Sequence, residues 1–138
     1  MSDAQKPERT RPRFAPKEPI ELDPPQSTPI SREFLAQCNG AEGSQQGNRL
    51  LIAIRGKVFD VTRNQDAYGP GKGYNIFCGS EASRALALTS LERKDVEGDL
   101  EGKLDDLTPE QIQTLVDWET FFGYRYNVVG LLEGSAFL

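Results

Sequence analysis

Seven of the nine prolines fall within the first 29 residues, and this distribution divides the chain before any other feature is considered. Proline supplies no N–H to a helix or a ladder. The same stretch has few large apolar side chains and scattered charge, so it cannot offset the entropy of ordering itself. Residues 1–28 are therefore expected to form a disordered or extended arm. Such an arm either hangs free or lies along the domain surface on Phe14, Ile20 and Leu22. One folded domain is expected over residues 29–138, within the size range of a single core.

Within that domain the pattern alternates between short helices and strands. Ser31 reads as the N-cap of a helix over Arg32–Gln37, ended by Asn39-Gly40. Leu50–Ile54 and Lys57–Thr62 read as two strands of a hairpin that turns at Arg55-Gly56. Asp60 is expected to bond backbone groups at the strand end rather than to carry chemistry. Ser80 is placed to cap a helix over Glu81–Leu88. Thr108-Pro109-Glu110-Gln111 is a capping box with proline at the first helical position. It opens a helix whose Ile112, Leu115, Val116 and Phe122 share a face, and Gly123 closes it. Tyr124–Leu132 reads as a last strand, and Trp118 and Phe122 read as core. Strands before and after several short helices predict a small α+β domain.

Composition narrows the chemistry. The chain of 138 residues contains no histidine, which removes His-based acid–base catalysis, nearly all zinc enzymology and His-ligated haem. Cys38 and Cys78 are too few for a disulfide framework and read as reduced thiols. A cysteine or serine nucleophile has no histidine partner, so the expectation is a protein that is not an enzyme. The net charge is −5, and residues 91–119 carry ten acidic and three basic side chains. That segment reads either as a solvated face or as a patch that docks a basic partner. Its sign argues against nucleic acid as a ligand. The longest apolar run, Leu50–Ile54, is far short of the roughly 18 residues of a membrane span, and no secretory h-region opens the chain. The expected location is the cytosol or the periphery of a membrane, without a transmembrane segment.

One loop concentrates the candidate chemistry: AYGPGKGYNIFCG, residues 67–79. Its glycines do not fall in the order of a P-loop or a dinucleotide turn, and no βαβ unit surrounds them. A wide turn whose Tyr68 and Tyr74 cover nearby core accounts for the segment equally well. A cofactor site accounts for it too, because tyrosine is an uncommon but real axial ligand of haem iron.

The run IAIRGKVFDVTRNQDAYGPGKGYNIFCGSEASRALA, with LTPEQIQTLVDWETFFGYRYNVVGLL after it, resembles the membrane-associated progesterone receptor family. That family is a branch of the cytochrome-b5-like haem/steroid-binding fold. The spacing YGPxxxYxxFxGxxASRxLA carries the likeness, which spans roughly residues 29–132. The arm KPERTRPRFAPKEPIELDPP looks like that of the fungal damage-response (Dap-type) haem proteins. The resemblance implies haem b, ferric and five-coordinate, held by Tyr74 as axial ligand, with Tyr68 in support by hydrogen bonding. Arg125 and Tyr126 stand where the family carries a Lys-Tyr pair at the haem edge. Lys72-Gly73 replaces the proline that precedes the ligand tyrosine in animal relatives, which implies a looser loop. Cys78, where relatives have a small apolar residue, is either a rival ligand or a buried thiol. The partners implied are haem-thiolate monooxygenases of sterol synthesis, in fungi those that lead to ergosterol, and a second copy met through exposed haem faces. The alternatives are a b5-type electron carrier and a scaffold that binds a sterol or another small molecule.

Overall fold

The structure, a computed structural model, describes residues 12–135 and 137; the rest of the expected arm, residues 1–11, lies outside the described residues. Four strands form one mixed sheet: β1 (Pro29–Ile30), β2 (Leu51–Ile54), β3 (Lys57–Asp60) and β4 (Asn127–Leu132), in the order β1-β4-β3-β2. The β1–β4 pair is parallel and the other two pairs are antiparallel. Among the described residues, four α-helices accompany the sheet: α1 (Arg32–Ala36), α2 (Gln65–Tyr68), α3 (Ser83–Leu88) and α4 (Pro109–Gly123). Short 3-10 turns lie at Asn75–Phe77, Arg93–Asp95 and Gly98–Leu100. This is the α+β class expected, with a small mixed sheet and several short helices.

All four residues of β2 are buried, because the sheet is covered on both faces. Side chains alternate across a strand. Ile52 and Ile54 therefore join the larger core with Phe59, Leu115 and Phe122, while Leu51 and Ala53 join Ile30, Leu35 and Val58 under α1. Two-sided burial turns a strand into a continuous apolar run rather than an alternating one, as LIAI shows. The Arg55-Gly56 turn closes the hairpin with both residues at positive φ, 49° and 82°, the geometry of the preferred two-residue hairpin loops.

Helix ends follow their local chemistry with two departures. The capping box at Thr108 forms in both directions, and Gly123 is the last residue of α4. Ser80, however, does not cap α3: its hydroxyl donates to Phe77 O at 3.0 Å. Ala82 is the N-cap and makes no side-chain cap bond; Glu81, one residue earlier, accepts from Ser83 N at 2.8 Å through Oε1 and from Gly56 N at 2.9 Å through Oε2. The helix thus starts two residues later than its pattern suggests, because residue 81 is bridged to Ala53 at the sheet edge. The second departure is α2, a helix whose last two residues, Ala67 and Tyr68, belong to the loop 67–79 read as a wide turn. The strands are also shorter than expected. Asp60 Oδ1 accepts from Thr62 N at 2.9 Å and ends β3 there. Tyr124–Tyr126 turn before β4 begins, with Tyr126 N donating to Phe122 O at 2.9 Å.

Residues 12–28 run along the domain beside β4. Gln26 N donates to Val128 O at 2.9 Å, Leu131 N to Thr28 O at 2.8 Å, and Asp23 N to Asn127 Oδ1 at 2.8 Å. Phe14, Ile20 and Leu22 are half-buried. Gly130 makes the passage: a Cβ there would stand 2.4 Å from Thr28 O and 2.6 Å from Ile30 Cδ1.

Candidate functional site

The glycine-rich loop is short of free backbone. Asn64 caps α2 through its side chain, and Gly69 ends the helix where a Cβ would lie 2.6 Å from Gln65 O. Tyr74 N then donates back to Ala67 O at 3.0 Å. The Asn75 amide donates to Tyr68 O at 2.8 Å and to Asn39 O at 3.0 Å, which pins the far side of the loop. These bonds fold the two tyrosines together, with ring centroids 6.0 Å apart. Tyr74 also stacks on Phe77 at 5.8 Å. Gly73 has open space where a Cβ would go.

The loop forms one wall of an apolar cleft of about 140 Å³. Tyr68, Tyr74 and Phe77 make that wall, Ala85 and Leu86 of α3 contribute a second, Thr89–Leu91 the rim, and Trp118 of α4 the far side. Among the described residues, the exposed large apolar side chains are Tyr74 and Leu91, 44% and 53% accessible. Both flank this cleft. Trp118, expected in the core, is a half-buried cleft residue, whereas Phe122 is fully buried as expected.

Tyr68 lies behind Tyr74 and is only 5% exposed. Burial, with Tyr126 and Cys78 adding to it, raises its phenol well above the usual tyrosine value, so the hydroxyl keeps its proton. No hydrogen bond to that hydroxyl forms among the described residues, which leaves a buried donor beside an apolar space. Cys78 is pushed up to about 12, by burial first and Cys38 second. Its thiol points to Tyr68 O at 3.6 Å and stands outside the residues that line the cleft. A neutral thiol so placed is a packing group, not a thiolate donor.

The four expected site residues separate in space. Tyr68 and Tyr74 share the cleft. Tyr126 packs edge-on against Tyr68 at 6.3 Å and its hydroxyl accepts from the Asn64 amide at 2.9 Å. Arg125 faces the arm: Nη1 donates to Phe14 O at 2.7 Å and to Phe121 O at 3.2 Å, and its guanidinium lies 3.7 Å above the Phe121 ring. Sequence reasoning missed the α3 wall and the 89–91 rim. The available signal was Leu91, a lone large apolar residue just past a helix end.

The family model for the cytochrome b5-like haem/steroid-binding domain matches residues 31–110, a span that includes both tyrosines and α3. The chain belongs to this family. The probable steroid-binding protein 3 of Arabidopsis thaliana is 46% identical over 101 residues, 73% of this chain and 94% of that protein. Membrane-associated progesterone receptor component 2 of Rattus norvegicus is 42% identical over 103 residues, 75% of this chain and 45% of that protein. A solved Arabidopsis thaliana protein with a cytochrome b5 like fold superposes with a TM-score of 0.64 at 40% identity, covering 77% of this chain and 91% of that one. The chain spans about half the length of the membrane-associated relatives, 50% for membrane steroid-binding protein 1 of Oryza sativa.

For a b5-like domain without histidine, the ligand chemistry must come from other donors. The cleft supplies a phenol at its mouth, apolar walls and a buried hydroxyl that has no hydrogen-bond partner among the described residues, which fits a flat apolar ligand with a polar centre. At about 140 Å³ it is smaller than the roughly 300–1,000 Å³ of sites that enclose a whole ligand. It can grip part of a haem or a steroid and leave the remainder open. Among the described residues no helix is long and apolar enough to cross a membrane.

Proposed function

We propose that this domain binds haem b in the cleft, with Tyr74 as the axial ligand of a ferric, five-coordinate iron. The exposed Tyr74 phenol at the cleft mouth, backed by buried Tyr68, is the observation that carries the reading. When bound, the haem supplies a ferric centre that an anionic, hard phenolate oxygen stabilises against reduction. Phe77, Leu86 and Trp118 exclude water from one side of the ligand, and the Tyr68 hydroxyl is held ready to donate toward Tyr74. Arg125 and Tyr126 serve at the haem edge once the Phe14 carbonyl yields its contact with the guanidinium. The domain acts as a binding protein rather than a catalyst. It supports haem-thiolate monooxygenases of sterol synthesis at the cytoplasmic face of the endoplasmic reticulum, and meets basic partner surfaces through its acidic segment. An open haem face also permits pairing with a second copy.

A haemin titration tests the reading. Wild-type protein should give a tyrosinate-type ferric Soret band, and Tyr74→Phe should abolish or shift it. An identical spectrum in that variant removes Tyr74 as the ligand. A steroid in the same cleft is the second reading, favoured by the neutral Tyr68 hydroxyl, which has no partner among the described residues and is a donor suited to a ketone. Competition between haemin and a 3-ketosteroid separates the two: mutual displacement places both in one cleft.

A further inference from the structure

The motif ASRxLA contributes two polar residues to a helix that is otherwise apolar, and the ligand chemistry uses neither. Ser83 acts locally, since its hydroxyl accepts from Arg55 N at 2.8 Å, at the hairpin turn. Arg84 is different. It is 9% exposed and donates from Nε to Asp95 at 3.1 Å, from Nη1 to Lys103 O at 3.2 Å, and from Nη1 and Nη2 to both Asp106 oxygens at 2.7 and 3.2 Å. Asp95, 3% exposed, uses its second oxygen to accept from the Ser90 hydroxyl at 2.7 Å. Ser90 is a rim residue of the cleft. The chain of contacts therefore runs from a buried guanidinium to the edge of the ligand space.

The rim needs such a hold. Thr89 lies in the left-handed region at φ 54°, a conformation that disfavours side chains other than glycine and asparagine. Beyond it, Leu91 stands 53% exposed with little packing to fix it. Ser90 ties the turn at three points: its N donates to Ala85 O at 2.8 Å, its hydroxyl donates to Asp95, and that same oxygen accepts from Glu92 N at 3.1 Å. With its proton given to Asp95 and one lone pair taken by Glu92 N, the Ser90 hydroxyl has no donor left for a ligand. Its effect on binding has to be exerted through the position of the rim.

We propose that Arg84, Asp95 and Ser90 form a strut that fixes the Thr89–Leu91 rim against Trp118, and so sets how fast the cleft releases its ligand. Ser90, Asp95 and Arg84 are positioning residues here. The charges of the pair stay compensated, because every oxygen of Asp95 and all the guanidinium nitrogens of Arg84 have partners. A satisfied buried network of this kind specifies one geometry more than it adds stability.

The chain has one tryptophan, Trp118, and it faces the strut across the cleft, so the rim can be read without any ligand. The test compares full-length wild type with Ser90→Ala and Ser90→Thr. Acrylamide quenching of Trp118 emission is measured in the ligand-free protein, and release of bound haemin to excess apomyoglobin in the loaded one. Expected are stronger quenching and release about fivefold faster in Ser90→Ala, the effect of one lost hydrogen bond. Both should return toward wild type in Ser90→Thr, with circular dichroism unchanged throughout and the urea midpoint lowered in Ser90→Ala, where an oxygen of buried Asp95 loses its partner, and recovered in Ser90→Thr. Unchanged quenching in Ser90→Ala overturns the strut, as does a Ser90→Thr protein that behaves like the alanine variant. The release arm rests on the cleft being the haem site. If wild type takes up no haemin, that reading fails while the quenching arm still decides the strut.

Discussion

Glu81 is 1% exposed, yet it holds the β2–β3 turn and the start of α3 at once through Gly56 N and Ser83 N. Burial raises its carboxyl above the ordinary value, and the N–H donors of Gly56 and Ser83 and the Ser83 hydroxyl only partly offset that. A group with a raised folded-state pKa contributes stability that is full below its unfolded pKa and is lost as pH rises through the folded value. Wild type should therefore gain stability over Glu81→Gln when the pH falls from about 7 to about 5. Urea unfolding of both proteins at the two pH values checks this; parallel curves would show that Glu81 stays charged throughout. The sequence announces a glutamate at the head of a helix beside Ser83 and nothing about its second partner, Gly56 N, which comes from a turn 25 residues away. Tyr74 is a contrasting case. Its spacing in a known family pattern pointed to a site, and the fold puts it beside Tyr68 at a cleft mouth. Arg125 divides its contacts between Phe121 of α4, four residues back in the chain, and Phe14 of an arm whose course no local pattern reveals.

At the scale of elements, β4 is the most constrained. It pairs with β3 on one side and carries β1 and the preceding arm on the other, with a register shift at Val58/Phe59. Gly130→Ala would drive a methyl into Thr28 O and Ile30, and backbone cannot give way as a side-chain tip can. A loss of about 1–3 kcal/mol is expected, the usual cost of overpacking, and chemical denaturation measures it. A midpoint equal to wild type would mean that β1 does not depend on this close approach. Helix α4 was readable to the residue at its start, since a capping box and a proline are local signals that tertiary structure had no reason to override. Helix α2 was not, because its four residues are set by an asparagine cap and by packing of Tyr68 on Phe122 at 6.1 Å. The same holds for α3. Its apolar residues were visible, but which of them face a cleft depends on where Trp118 arrives from α4.

For the whole molecule, the proline distribution predicts an arm before the domain, and composition alone leaves the arm's position open. Its residues 12–28 combine half-buried side chains with backbone bonds to β4. Deleting residues 1–22 removes the Phe14–Arg125 contact and the cover over Gly123 and Tyr124. A loss of about 1–2 kcal/mol is expected from the apolar area uncovered. Urea midpoints of the two lengths measure it, and equal midpoints would make the arm a passenger.

The outer edge of β2 has a consequence for how this molecule meets others. Leu51 N donates to Cys38 O and Leu51 O accepts from Gly79 N; Ala53 N donates to Ser80 O and Ala53 O accepts from Ala82 N. Every outward-facing group of those two residues is taken, and the opposite edge strand, β1, is two residues long. A peptide has no ladder to extend, so strand addition, fibril templating and edge-to-edge aggregation lose their usual starting point. Among the described residues, a partner that sought this backbone edge would have to break bonds already made with Cys38, Gly79, Ser80 and Ala82.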